Sequence, residues 1–127
     1  MNDTWYQEEL LEHYRNPKNK KIITNASFIS EEYNPSCGDA VCMMGLIDNN
    51  VVTDLGFQGK GCVISQAAAS MLTELCITQN IDAITTMNEE TIKNLVGLHL
   101  GPVRIKCALL PLMVLQQGIK NYHERIT

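Results

Sequence analysis

Asn34-Pro35-Ser36-Cys37-Gly38-Asp39 is the stretch around which we expect the rest of the chain to be organised. Asn-Pro forms turns, because proline fixes its own φ and moves the preceding residue out of the helical region. Cys37 and Asp39 are two positions apart, so in an extended segment their side chains project from the same face. A thiolate and a carboxylate are both metal ligands, one soft and one hard. The stretch therefore predicts a turn that presents a metal-binding pair.

Two distant cysteines occur in similar local contexts. Cys62 follows Gly59-Lys60-Gly61, and Cys107 follows Arg104-Ile105-Lys106. Each is expected at a loop or a helix start beside a glycine or a lysine, where a thiolate is stabilised. Spacing alone is weak support for zinc, since structural zinc sites usually contain closely spaced cysteine pairs and this chain has none. Local context leads us to the hypothesis that folding brings together four ligands: Cys37, Asp39, Cys62 and Cys107.

Size and composition limit the possible classes of protein. The chain has 127 residues, 45% of them hydrophobic, and a net charge of −4. These values predict a single domain over residues 1–127 and argue against binding nucleic acid through phosphate neutralisation. No apolar run is long enough to span a bilayer, and the N-terminus does not resemble a secretory signal. The five cysteines are an odd number, and they are too sparse for a secreted protein held together by disulfides. We therefore expect reduced thiols and a cytoplasmic location.

Hydrophobic periodicity predicts the secondary structure. We expect a helix over 4–14 and strands over 26–33, 41–47 and 51–58. Asp48-Asn49-Asn50 suits a tight turn, so the second and third strands should form a hairpin. Further helices are expected over 62–79, 89–98 and 103–125, the last one heavily apolar.

The remaining cysteines and histidines have simpler interpretations. Cys42 lies in the second strand and Cys76 in the apolar stripe of a helix, so both are expected to be buried core residues. We assign no ligand role to His13, near a helix C-terminus, or to His99, in a loop. The basic segment 16–21 fits a partner contact or, as we expect, a solvated loop.

Four motifs together resemble the IscU/SufU/NifU N-terminal family of iron–sulfur cluster assembly proteins. They occur in the family's order over nearly the whole chain. The resemblance implies an α+β fold in which a small antiparallel three-stranded sheet packs against helices. The motifs are Leu11-Glu12-His13-Tyr14-Arg15-Asn16-Pro17-Lys18-Asn19, Asn34-Pro35-Ser36-Cys37-Gly38-Asp39, Gly59-Lys60-Gly61-Cys62-Val63-Ile64-Ser65 and Arg104-Ile105-Lys106-Cys107-Ala108.

The same resemblance implies a site and its partners. Cys37, Asp39, Cys62 and Cys107 would hold zinc or a nascent [2Fe–2S] cluster, with iron as its metal. Sulfur would come from a cysteine desulfurase, and apo iron–sulfur proteins would receive the product. Cys107 is the expected persulfide acceptor, because the neighbouring Lys106 favours its thiolate form.

Two positions depart from the IscU-type pattern. Lys106 occupies a place where IscU-type members carry histidine, and it resembles SufU-type members. The gap between the second and third cysteines is nevertheless short, as in IscU-type members. Leu100-Gly101-Pro102-Val103-Arg104 matches the family's chaperone-recognition motif, Leu-Pro-Pro-Val-Lys, only in part. Support for an Hsp70-type chaperone partner is correspondingly weak.

Several function classes remain open at the level of the sequence. The chain could be a cluster scaffold, a zinc-dependent sulfur relay, or a structural zinc module, although a mixed thiolate and carboxylate set argues against the last. A cysteine hydrolase would need a histidine paired with the nucleophile, and none is adjacent in sequence to a candidate cysteine. We expect a scaffold or sulfur-transfer accessory protein rather than a stand-alone enzyme.

Overall fold

A computed structural model describes residues 3–35 and 38–126. The chain begins with helix α1 (Asp3–Arg15) and continues into three strands: β1 (Phe28–Asn34), β2 (Asp39–Asp48) and β3 (Val51–Lys60). Four helices follow: α2 (Val63–Cys76), α3 (Ile81–Thr85), α4 (Glu89–Val96) and α5 (Pro102–Ile126). The predicted α+β fold is confirmed, and the five-residue helix α3 lies in the segment 80–87, for which the sequence indicates a loop with at most one turn of helix.

The strands form one antiparallel sheet in the order β1-β2-β3. Asn49 and Asn50, both with positive φ, make the predicted tight turn between β2 and β3. Asn34 lies opposite Asp39, and Ala40 lies opposite Lys60. One end of the sheet therefore holds the start of β2 between the ends of its two neighbours.

The core lies between one face of the sheet and the helices α2 and α5. Gly118 of α5 packs directly on β1, since a Cβ at this position would overlap the Phe28 ring. The α2 helix contributes Ala67, Ala68 and Ala69, whose small side chains allow close approach, together with the larger Met71 and Leu72. The largest fully buried side chains include Phe57, Met43, Leu55, Leu72, Ile84, Ile92 and Leu115.

Helix α1 packs against α2, and the loop that follows α1 is attached to α2 by buried polar contacts. His13 Nδ1 is 2.7 Å from Ser70 Oγ, and the Lys18 backbone N–H donates to the same oxygen over 2.7 Å. Asn19 Nδ2 donates to Thr73 Oγ1 over 3.1 Å. His13 thus links the end of α1 to α2.

Helix α5 continues without interruption past Pro111. Within the described residues, no helix combines the length and apolar character required to cross a membrane.

Candidate metal centre

Asp39 and Cys62 meet where β2 begins and β3 has just ended. The Asp39 side chain is fully buried. Its Oδ1 accepts the Cys62 backbone N–H over 2.7 Å, and the Cys62 thiol is 3.6 Å from Oδ2. The turn after β3 therefore folds back on Asp39 and places a thiol beside a buried carboxylate.

Gly61 makes this close approach possible. Its φ of +135° is a conformation that L side chains rarely adopt. A Cβ at this position would overlap the Asp39 carboxylate and lie 2.7 Å from Asp39 Cα. Any side chain here would separate the turn from the buried acid.

Cys62 is also the N-cap of helix α2. Its sulfur accepts the Ser65 backbone N–H at 3.4 Å, and Ser65 Oγ donates to the Cys62 carbonyl at 3.2 Å. The unpaired N–H groups and the positive dipole end of a helix stabilise a thiolate. Cys62 is half-buried, so this sulfur is the more accessible of the two described thiols at the site.

Cys107 reaches the site from the start of helix α5. Its side chain is 4% exposed, and its thiol is 3.6 Å from the carbonyl oxygen of Val103 one turn earlier. One ligand atom from each of Asp39, Cys62 and Cys107 lies within 4.8 Å of the others. Three of the four predicted ligands are thus brought together from three separate elements. Cys37, the fourth, lies outside the described residues.

The three donors fit a thiolate-binding metal. A sulfur bound at about 2.3 Å and an oxygen bound at about 2.1 Å to one tetrahedral zinc lie about 3.6 Å apart. The distance between Cys62 Sγ and Asp39 Oδ2 is 3.6 Å. Burial of the carboxylate and the helix N-terminus beneath Cys62 both limit solvent access to the ligands. Lys106, an exposed residue of α5, lies next to Cys107 in the chain and contributes a positive charge.

The two cysteines that the sequence assigned elsewhere do not join this group. Cys76 is fully buried, as predicted, and burial raises the pKa of its thiol to about 12. The expectation that Cys42 is a buried core residue is wrong, because its side chain is only half-buried. Its parity places it on the face of β2 opposite the core, where burial and the neighbouring Glu31 raise the pKa of its thiol.

Sequence reasoning missed two residues that shape the site. Gly61 was noted only as part of a flexible glycine segment, and Ser65 was assigned to the polar face of a helix. The available signal was the spacing Cys62-x-x-Ser65 at a helix start, which matches that of an N-cap with its partner at the third helical position.

These features define a class of small α+β protein. The turns at one end of a three-stranded sheet and the first turns of a long helix bring an acid and two thiols together in a group that could hold a metal ion. Residues 5–127 match the model of the NifU-like N-terminal domain family. The chain belongs to this family.

Curated relatives carry two different functional names. The zinc-dependent sulfurtransferase SufU of Bacillus subtilis is 33% identical, over 92% of this chain and 90% of that protein. The iron–sulfur cluster assembly scaffold protein IscU of Thermotoga maritima is also 33% identical, over 95% of this chain and 82% of that protein. The crystal structure of FiSufU from Fervidobacterium islandicum AW-1 superposes with a TM-score of 0.76 at 27% identity, covering 94% and 99% of the two chains.

Proposed function

We propose that this protein acts in iron–sulfur cluster assembly in the cytoplasm, as one domain. The cargo is a nascent [2Fe–2S] cluster, held by Cys37, Asp39, Cys62 and Cys107, supplied with sulfur by a cysteine desulfurase and passed on to apo iron–sulfur proteins. The observation that carries the proposal is the convergence of Asp39, Cys62 and Cys107 within 4.8 Å of one another. The scaffold name of the Thermotoga relative supports the same function.

The mixed ligand set suits temporary holding. Thiolates bind iron and zinc strongly, whereas a carboxylate is a hard ligand that is more readily displaced from an iron–sulfur centre. Asp39 therefore offers the point at which a recipient's thiol replaces a scaffold ligand. A permanent structural site would favour cysteine and histidine ligands alone.

A second candidate function is a zinc-dependent sulfur relay. The spacing of 3.6 Å between Cys62 Sγ and Asp39 Oδ2 matches two ligands of one tetrahedral ion. Lys106 cannot coordinate a metal, because a protonated lysine has three donors and no lone pair, but it offsets the negative charge of thiolates. The name of the Bacillus relative supports this candidate.

Metal and sulfide analysis of protein purified without oxygen separates the two functions. Two irons with two sulfides per chain indicate the scaffold, whereas one zinc with stimulation of a desulfurase indicates the relay. Removing a group that only hydrogen-bonds to a metal ligand commonly lowers metal affinity about 10- to 100-fold. Removing a proposed ligand itself should lower metal affinity at least as much. The variants that test this are Cys37→Ser, Cys62→Ser, Cys107→Ser and Asp39→Asn.

Matched controls come from the two cysteines outside the site. Cys42→Ser and Cys76→Ala should keep the wild-type metal content. Equal loss of metal from folded Cys76→Ala protein would contradict the ligand assignment.

Cys107 is the proposed sulfur acceptor in either function. Its thiolate attacks the terminal sulfur of the desulfurase persulfide, forming a new S–S bond while the donor's S–S bond breaks. The electron pair remains on the desulfurase cysteine as a thiolate, so the transfer needs no outside oxidant. Since Cys107 is 4% exposed, the segment around Val103 must move to admit the donor. Lys106 then stabilises the incoming negative charge.

Mass spectrometry after incubation with desulfurase and cysteine tests the acceptor. One added sulfur is expected on the peptide that contains Cys107, and Lys106→Ala should slow its appearance by about 10-fold through loss of the neighbouring cation. Lys120→Ala, an exposed lysine near the other end of α5, is the matched control. Sulfur found only on Cys37 or Cys62 would rule out Cys107 as the first acceptor.

A further inference from the structure

The two outer edges of the sheet differ in whether other backbone segments pair with them. The outer edge of β3 is occupied by backbone groups from other segments. Val52 donates its N–H to the Gln79 carbonyl at 2.9 Å and accepts the Thr78 N–H at 2.7 Å. Farther along, the Phe57 N–H bonds the Asn19 carbonyl at 3.0 Å. The β3 edge is therefore closed to further pairing at these positions.

The outer edge of β1 has no such cover within residues 3–35 and 38–126. β1 pairs only with β2, while α5 packs over its inner face at Gly118. Ile29 and Tyr33 are 64% and 59% exposed, and Glu31 and Glu32 between them are also exposed. An open edge presents unpaired backbone groups that can pair with another extended chain.

The side chains along this edge determine what could pair with it. Ile29, Glu31 and Tyr33 alternate on one face of the strand, so an acid is flanked by two apolar side chains. Neither Glu31 nor Glu32 forms an ion pair with another described residue. A second copy added antiparallel would place these acids near their own equivalents at the middle of the strand, and opposed like charges are destabilising.

We propose that the outer edge of β1 binds an extended, basic segment of a partner protein by strand addition. On the face of Ile29, Glu31 and Tyr33 the segment would place a lysine or arginine beside Glu31 and apolar side chains beside the other two, and a second basic side chain on the opposite face would pair with Glu32. Charged residues on an edge strand commonly prevent aggregation. In β1 the two acids would repel a second copy of the strand and attract a basic one. The exposed isoleucine and tyrosine beside them supply apolar contact that a purely repulsive edge does not need.

The position of this edge relates it to the metal centre. β1 ends at Asn34, which lies opposite Asp39 in the sheet register. A segment added along β1 would therefore run toward the end of the sheet that holds Asp39, Cys62 and Cys107. This docking surface goes beyond the proposed function and does not depend on which metal the site holds.

A synthetic peptide tests the surface directly. The probe is an acetylated eight-residue peptide with Val-Lys-Lys-Thr-Val at its centre, which places valine, lysine and valine on one face and the other lysine on the opposite face. It is titrated into the full chain at low ionic strength with backbone NMR detection. We expect shift changes and slowed amide exchange confined to residues 28–34. The same peptide with glutamate in place of both lysines should bind about 10-fold more weakly or worse, and the lysine peptide N-methylated at its four central residues should not bind.

Charge reversal supplies the decisive comparison. Glu31→Lys with Glu32→Lys should reverse the preference between the two peptides, whereas Glu89→Lys with Glu90→Lys, another exposed pair of adjacent acids, should leave it unchanged. The proposal is overturned if neither peptide binds, if the N-methylated peptide binds equally well, if the shifts lie elsewhere, or if the protein dimerises through β1.

Discussion

Gly61 is the residue outside the candidate metal centre that most directly determines how Cys62 meets Asp39. It has two independent requirements for glycine: a φ of +135° and the lack of space for a Cβ beside Asp39. Backbone strain of this kind costs about 1–3 kcal/mol when a side chain is present. Because Asp39 is fully buried, its carboxylate has little room to move away.

Gly61→Ala should therefore lower both stability and metal binding. We expect a loss of about 2–4 kcal/mol in the free energy of unfolding, from backbone strain together with displacement of the buried acid. Urea denaturation and metal content measure the two effects. Gly101→Ala, where a Cβ meets nothing within 4 Å, should behave as wild type. A Gly61→Ala protein with wild-type stability and full metal content would show that the contact with Asp39 is unimportant.

Local sequence context pointed to the residues that meet at the candidate metal centre because it depends on short-range chemistry. Cys62 was placed at a helix start from its preceding glycines and lysine, and Cys107 from its neighbouring lysine. The same context could not reveal that the Cys62 sulfur itself caps the helix through the Ser65 N–H. Nor could it give the φ of Gly61, which follows from how β3 turns back toward Asp39.

At the level of elements, the connection between α1 and β1 is held by one buried hydroxyl. Ser70 Oγ lies 2.7 Å from both His13 Nδ1 and the Lys18 N–H, and Ser70 is fully buried. The loop fixed in this way also supplies the Asn19 carbonyl that bonds the Phe57 N–H. The end of α1, helix α2 and the edge of β3 are thus linked through a few polar contacts.

Ser70→Ala should loosen this connection more than its size suggests. It leaves the buried His13 Nδ1 and the part-buried Lys18 N–H without their partner. A buried group left unpaired costs about 1–3 kcal/mol and a part-buried one less, so we expect a loss of about 1–3 kcal/mol in stability. Hydrogen exchange of the Lys18 amide should accelerate well beyond the change in global stability. Thr86→Ala removes one exposed hydroxyl that donates to the Ala83 carbonyl and should change stability by less than about 0.5 kcal/mol. Unchanged protection of the Lys18 amide would show that Ser70 does not hold the loop.

The positions of the elements were largely predictable because hydrophobic periodicity depends on neighbouring residues. The helix at 102–126 and the hairpin at 39–60 were found within a few residues of their ends. β2 begins two residues earlier than its apolar run suggests, since Asp39 is buried as part of the strand. For α3 the sequence indicated no more than a turn of helix within a loop, because five residues are too few to establish a helical period.

For the molecule as a whole, the sequence was less informative about which surfaces are covered. Cys42 was expected to be buried, yet it is only half-buried, because in the described part of the chain its neighbours on the outer face of β2 are strand residues such as Glu31 and Gln58. The meeting of Asp39, Cys62 and Cys107 likewise depends on contacts between distant segments. Local sequence context and the motif resemblance both predicted that meeting, whereas periodicity alone did not.

Because Cys76 is buried, the free energy of unfolding of the whole molecule should decrease at alkaline pH. Its pKa rises from an ordinary value of 9.0 to about 12 because burial disfavours the thiolate. Below pH 9 the thiol is protonated in both states, and its contribution to stability is fully present. Between pH 9 and 12 the unfolded chain loses this proton while the folded chain keeps it, so stability falls as pH rises.

At about 1.4 kcal/mol per pH unit, wild type should lose about 2–3 kcal/mol more than Cys76→Ala between pH 9 and 11. Urea denaturation of both proteins across this range, compared by slope rather than by absolute stability, isolates the effect from other titrating groups. Parallel curves for the two proteins would mean that Cys76 ionises freely in the folded state, and its place at the centre of the core would then be incorrect.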